Sequence, residues 1–102
     1  MSSIKVNKAN FEEIKNSEKV VLLDFYADWC GPCRMVGPVI EEIAEERADI
    51  VVGKVNVDEE DELAGQFGVF SIPTLVVMKG GKIVSQESGA KPKAQILAML
   101  EK

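Results

Sequence analysis

Val20-Val21-Leu22-Leu23-Asp24-Phe25-Tyr26-Ala27 runs directly into Asp28-Trp29-Cys30-Gly31-Pro32-Cys33. The first eight residues are apolar almost throughout, which predicts a central strand covered on both faces. Asp24 is the one break in that run. Beyond the cysteines, Met35, Val36, Val39, Ile40, Ile43 and Ala44 recur at helical spacing, with Glu41, Glu42, Glu45 and Glu46 between them. They predict an amphipathic helix from about Pro32 to Arg47, its acidic run forming a solvated face. Pro38 lies inside that helix, removes a backbone donor and predicts a kink.

On the N-terminal side, Ile4 to Asn7 reads as a short first strand, and Asn7 as the cap of a helix in which Phe11 and Ile14 share a face. Ile50 to Val57 is a β-branched strand interrupted by Lys54, much as Asp24 interrupts the earlier one. A short acidic helix follows at Glu60 to Gln66, then a loop through Gly68. Pro73 to Met78 and Lys82 to Ser85 are two strands joined by Gly80-Gly81, a two-residue primed turn that makes them antiparallel. Gly89 and Pro92 break the chain before a last helix burying Ile96, Leu97 and Leu100. The order is βαβ followed by αββα, with no linker or repeat, and it predicts one α/β domain over 1–102.

Cys30 and Cys33 are the only cysteines. A chain of 102 residues buries roughly two-thirds of its unfolded surface and needs no covalent staple to hold a core. A bridge closing a four-residue loop would in any case add only about 2 kcal/mol on the chain-entropy model. A structural zinc site takes four ligands, whereas the chain has no His, so zinc would need a dimer or carboxylate ligation. With 17 acidic against 12 basic residues and no basic cluster, nucleic acid is disfavoured as a partner. The first residues lack the apolar core of a signal peptide, and no apolar stretch approaches the roughly 20 residues that span a bilayer. The expectation is a soluble, cytoplasmic monomer away from membranes, in which a reducing environment favours a transient, catalytic cysteine pair over a permanent one.

Taken together, Asp24-Phe25-Tyr26-Ala27-Asp28-Trp29-Cys30-Gly31-Pro32-Cys33-Arg34-Met35, then Lys54, Ile72-Pro73-Thr74 and Gly89 closely resemble the thioredoxin family. The likeness covers nearly the whole chain and is far more specific than a bare Cys-x-x-Cys. It implies a thioredoxin fold, a central mixed sheet of about five strands flanked by about four helices, which agrees with the order of elements read above. It also implies a protein-disulfide reductase with a redox disulfide between Cys30 and Cys33 and no other bound cofactor. Its partners would be disulfide-bearing proteins and a thioredoxin reductase as electron donor. The chain has no glycine-rich dinucleotide loop of its own.

The chemistry follows from the positions. A strand ending at Ala27 and a helix opening near Pro32 put Cys30 at the positive end of the helix dipole, beside unpaired backbone donors, where a thiolate is stabilised. An ordinary thiol of pKa ~8.5 is only about 3 per cent ionised at pH 7. Cys30 is therefore assigned as the nucleophile and Cys33, one turn into the helix and expected to be more buried, as the resolving thiol. Desolvation raises a carboxyl pKa toward neutrality, so Asp24 is a candidate base for Cys33. The alternative is a buried Asp that merely hydrogen-bonds backbone. The resemblance favours the base, with Lys54 tuning it; read alone, Lys54 is equally a strand-edge lysine.

Trp29 is read as the rim of a substrate groove, the other reading being a core Trp. Gly31 and Pro32 keep the turn tight, put no bulk over the sulfurs and, lacking the charge that a His would supply, point to a reductant. The resemblance adds a cis Ile72-Pro73 bond beside the cysteines, Ile72 backbone pairing with an extended substrate segment, and Gly89 and Ala90 opposite Trp29. Tyr26, Arg34, Gly37 and the Phe70-Ser71 pair depart from the commonest family residues. None of them alters the reaction type, and Phe70 bears on partner choice. The rival functions are a scaffold or chaperone-type binding subunit, for which the cysteines are unnecessary, and a disulfide isomerase or oxidant.

Overall fold

The computed structural model describes residues 3–102. Its elements are β1 (Ser3–Lys5), α1 (Phe11–Lys15), β2 (Val20–Tyr26), α2 (Gly31–Glu46), β3 (Ile50–Asn56), α3 (Asp61–Gln66), β4 (Thr74–Lys79), β5 (Lys82–Ser88) and α4 (Lys93–Leu100). The strands form one sheet in the order β1-β3-β2-β4-β5. β1, β3 and β2 are parallel, and β4 and β5 add on antiparallel. This is the mixed five-stranded sheet with four helices that the sequence predicts.

β2 sits at the centre because both of its faces are apolar. Leu22 packs with Val36, Ile40 and Ile43 of α2 and Ile96, Met99 and Leu100 of α4. Val21, Leu23 and Phe25 point the other way, toward Phe11, Ile14 and Leu63 of α1 and α3. Side chains alternate along a strand, so Asp24 falls on the Leu22 face, beneath α2. β3 obeys the same rule: Val52 packs on the α2 side, which puts Lys54 there too. The register pairs Asp24 with Lys54 directly.

Several positions differ from the sequence-based expectation. Lys54 is not on an edge, since β1 covers the outer side of β3 as far as the Lys5–Lys54 pair. Asn7 closes the turn before α1 rather than capping the helix. It exchanges side-chain-to-backbone hydrogen bonds with Asn10, at 2.8 and 3.0 Å, and α1 begins only at Phe11. In α4 it is Met99, not Leu97, that joins Ile96 and Leu100 in the core; Leu97 is half-buried. Met35, which the helical pattern places with the apolar face, is instead 73% exposed. α2 itself runs from Gly31 to Glu46 with Pro38 inside it. Gly80 and Gly81 take φ of 59° and 79°, the left-handed pair that a primed hairpin turn demands.

Gly53 shows how tightly the layer under α1 and α3 is filled. A Cβ there would stand 2.6 Å from Val6 Cγ2 and 3.0 Å from Leu23 Cδ2, so Gly53→Ala forces two buried side chains off their rotamers. Overpacking of this kind costs roughly 1–3 kcal/mol. Urea unfolding of Gly53→Ala is expected to show that loss as a lower midpoint with an unchanged slope; an unchanged midpoint would mean that the layer yields freely.

Candidate active site

Cys30 occupies the N-cap of α2, with extended backbone at φ −89° and ψ 111°. Its Sγ accepts the backbone N–H of Cys33 at 3.2 Å, one of the donors that the first turn of a helix leaves unsatisfied. Gly31 and Pro32 are the first two helical residues, both exposed. Proline loses no hydrogen bond at that point, and no atom lies within 4 Å of where a Gly31 Cβ would be. The start of α2 is therefore uncovered at Gly31 and Pro32.

Cys30 and Cys33 are joined as a disulfide. Each is 4% exposed, so Cys33 is no more buried than Cys30. Both sulfurs lie against Ala27, with Tyr26, Val57 and Ile72 around them. The Ile72 carbonyl oxygen is 3.8 Å from Cys30 Sγ, and the Ile72–Pro73 bond is cis. The Pro73 carbonyl accepts Gly89 N–H at 2.8 Å, which brings exposed Gly89 and Ala90 beside the proline. Trp29 is on the rim, 68% exposed, and not in the core. Its indole Nε1 donates to Asp58 Oδ2 at 2.8 Å, an orienting partner that nothing in the local sequence announces. Arg34 is turned back to the Asp28 carbonyl through Nε and Nη2. Phe70 is almost fully exposed, at 99%, in the loop leading to Ile72.

Asp24 lies behind this surface, 1% exposed. Neither of its oxygens has a hydrogen-bond partner among the described residues, which removes the reading of an Asp that merely satisfies backbone. Burial pushes its carboxyl up from the usual 3.8 to about 6, the positive charge of Lys54 opposing and the negative charge of Glu41 adding to the rise. Lys54 is half-buried, with Nζ 4.7 Å from the centre of the Tyr26 ring, a cation–π contact. A cleft of about 410 Å³ opens from solvent to Cys33, Gly37, Glu41 and Lys54. The helical pattern predicts a solvated Glu41, and the structure corrects this. Its Oε2 accepts from Ser3 Oγ at 2.6 Å, and its Oε1 is buried without a partner among the described residues. The available signal is its spacing, eight residues after Cys33 on the same helix.

A cysteine pair at a helix N-cap, a cis Ile72–Pro73 bond whose Ile72 carbonyl faces the outer sulfur, and a buried acid on the preceding strand are the parts that the resemblance implies. The family model for thioredoxin matches residues 2–102. The chain belongs to the thioredoxin family. The thioredoxin of Alicyclobacillus acidocaldarius subsp. acidocaldarius is 50% identical over 100 residues, covering 97% of this chain and 95% of the relative. That of Bacillus subtilis (strain 168) is 45% identical over 103 residues, covering 100% and 98%. Among solved structures, a mutant thioredoxin from Halobacterium salinarum NRC-1 superposes with a TM-score of 0.91 at 38% identity, over 98% of this chain and 88% of that one. The protein is thus a thiol-disulfide oxidoreductase of thioredoxin type, with Cys30–Cys33 as its redox pair. Its family exchanges electrons with disulfide substrates and a reductase. Among the described residues no helix is long and apolar enough to cross a membrane.

The raised Asp24 carboxyl has a consequence for stability. Its proton is held more tightly in the folded chain than in the unfolded one, so its contribution is full below the unfolded value of 3.8 and is lost as pH rises through about 6. A difference of that size corresponds to about 3 kcal/mol. Asp24→Asn is expected to be more stable than the parent at pH 7–8, by an amount of that order, and to converge with it near pH 4. Denaturant midpoints for both proteins across pH 4–8 check this; parallel profiles would contradict it.

Proposed function

We propose that this thioredoxin reduces disulfides in extended segments of substrate proteins, with Cys30 attacking first. The Cys30 thiolate forms a bond to one substrate sulfur while the substrate S–S bond breaks and its other sulfur leaves as a thiolate. Asp24 then takes the proton from the Cys33 thiol, and the Cys33 thiolate attacks Cys30 Sγ. That step closes Cys30–Cys33 and releases the second substrate thiol, so two electrons have passed from the protein to the substrate. A reductase returns them. Lys54, paired in register with Asp24, tunes how readily the carboxyl ionises.

The observation that carries this order of events is the Cys33 N–H directed at Cys30 Sγ. A helix N-terminus stabilises negative charge on the sulfur that it caps, and only Cys30 stands at the cap. Exposed Trp29, Gly31, Pro32, Gly89 and Ala90, half-buried Ile72 and buried Pro73 are the residues that we assign to substrate contact, the Ile72 backbone pairing with an extended segment. No cofactor other than the disulfide is needed for these steps. A transient pair of this kind belongs in a reducing compartment, which favours the cytoplasm. The scaffold and isomerase readings are not favoured: a scaffold has no use for a thiol at a helix cap, and Gly31-Pro32 places no charge between the cysteines to stabilise the reduced form.

Single-cysteine variants test the order. Cys33→Ser is expected to accumulate a mixed disulfide with a disulfide-bearing protein such as insulin, visible by mass spectrometry as an adduct on Cys30. Cys30→Ser is expected to form little adduct under the same conditions. The reverse pattern would exchange the two roles, and no adduct with either variant would remove the mechanism.

A further inference from the structure

Cys33, Gly37 and Glu41 stand at i, i+4 and i+8 along α2, so they lie one above another on a single side of the helix. That side faces the cleft over β2 and β3. The cleft is open at Gly37 because no side chain fills it: a Cβ there would come within 3.7 Å of Lys54 Nζ. Glu41 closes the same cleft one turn further on. It is the only glutamate of α2 placed this way, since Glu42 and Glu46 are held outward by Lys93 and Glu45 is exposed.

The other charged groups around the cleft are exposed or paired elsewhere: Asp28, just after β2, lines it as an exposed residue. Lys5 of β1 pairs with Glu59 at 3.2 Å, and Arg34 of α2 is bonded to the Asp28 carbonyl. Tyr26 of β2 lends its ring face to Lys54, and the β4 residue in register with Asp24 is the neutral Leu75. That leaves Asp24, Glu41 and Lys54: two carboxylates about one ammonium, with no ion pair within 4 Å joining them among the described residues. Three of the four carboxylate oxygens are buried and unpartnered there, and the fourth is held by Ser3. The Glu41 carboxylate opposes ionisation of Asp24, partly undoing the stronger opposite pull of Lys54.

We propose that Glu41 is a positioning residue for the resolving step: its carboxylate, anchored by Ser3 at the mouth of the cleft, sets the pH at which Asp24 takes up and releases a proton. The inference rests on the reading of Asp24 as the base for Cys33. A carboxyl kept basic enough to accept a thiol proton near neutrality owes part of that basicity to a negative neighbour. Glu41 supplies the charge without touching the sulfurs or the substrate.

The test is the Asp24 carboxyl titration followed by carbon-13 NMR in the oxidised protein, where neither cysteine titrates. Glu41→Gln, which keeps the size and the Ser3 contact but removes the charge, is expected to lower the Asp24 midpoint by roughly half a pH unit or more. Glu41→Asp, which keeps the charge, is expected to retain most of the parent value. An unmoved midpoint in Glu41→Gln, or equal shifts in both variants, would overturn the proposal. The rate of mixed-disulfide resolution separates this from the underlying reading. In Glu41→Gln it should rise about twofold at pH 5.5 and not at pH 8. A midpoint that moves while the rate profile stays put would uphold the Glu41 coupling and remove Asp24 as the base.

Discussion

An ionisable carboxyl held in the middle of a β-sheet, with no hydrogen bond to either oxygen among the described residues, is what the site in this structure is arranged around. Burying a charge without partners is among the costliest arrangements available to a protein. Asp24 meets it at the centre of the central strand, flanked by β3 and β4 and roofed by α2. The chain forgoes stability at neutral pH that an uncharged residue would recover. What results is a carboxyl of near-neutral proton affinity, shielded from water by the sheet and the helix above it.

The rest of the site divides the labour between two sides of the first turn of α2. On the outer side, around Cys30, are the helix cap, the cis Ile72–Pro73 bond and the exposed Gly31 and Pro32. On the inner side are Cys33, Asp24, Lys54 and Glu41, which share a cleft or a register. The helix carries both functions because Cys30 and Cys33 are separated by one turn, so one sulfur serves as the cap and the other starts the row that continues through Gly37 and Glu41. Phe70, two residues before Ile72, leaves a large apolar side chain almost fully exposed.

Much of this is legible in the residues because it depends on local patterns. The two-faced apolar run makes β2 central, Gly80-Gly81 makes a hairpin, and the cysteine spacing at a strand-to-helix junction puts one sulfur on a helix cap. Asp24 stands out as the only polar interruption of a buried strand. The features that escape depend on what lies across space. Met35 and Glu41 fit the same helical pattern as their neighbours, and only the packing of α2 against the rest of the chain leaves the apolar side chain open and the acid half-covered. The central placement of Lys54 requires the three-residue β1 to pair outside β3, and the Trp29–Asp58 hydrogen bond joins loops 29 residues apart. The cis bond at Ile72–Pro73 follows from family resemblance alone, since proline at a strand's start is compatible with either isomer.

If Asp24 moves the proton that releases the substrate, the pH dependence of a single turnover in the parent protein shows it most plainly. The mixed disulfide is trapped rapidly and its resolution followed between pH 5 and 8. The resolution rate is expected to fall on the acid side with a midpoint near the value of about 6 at which the Asp24 carboxyl takes up its proton. A rate that rises with pH only in step with an ordinary thiol, with no inflection near that value, would contradict the role given to Asp24.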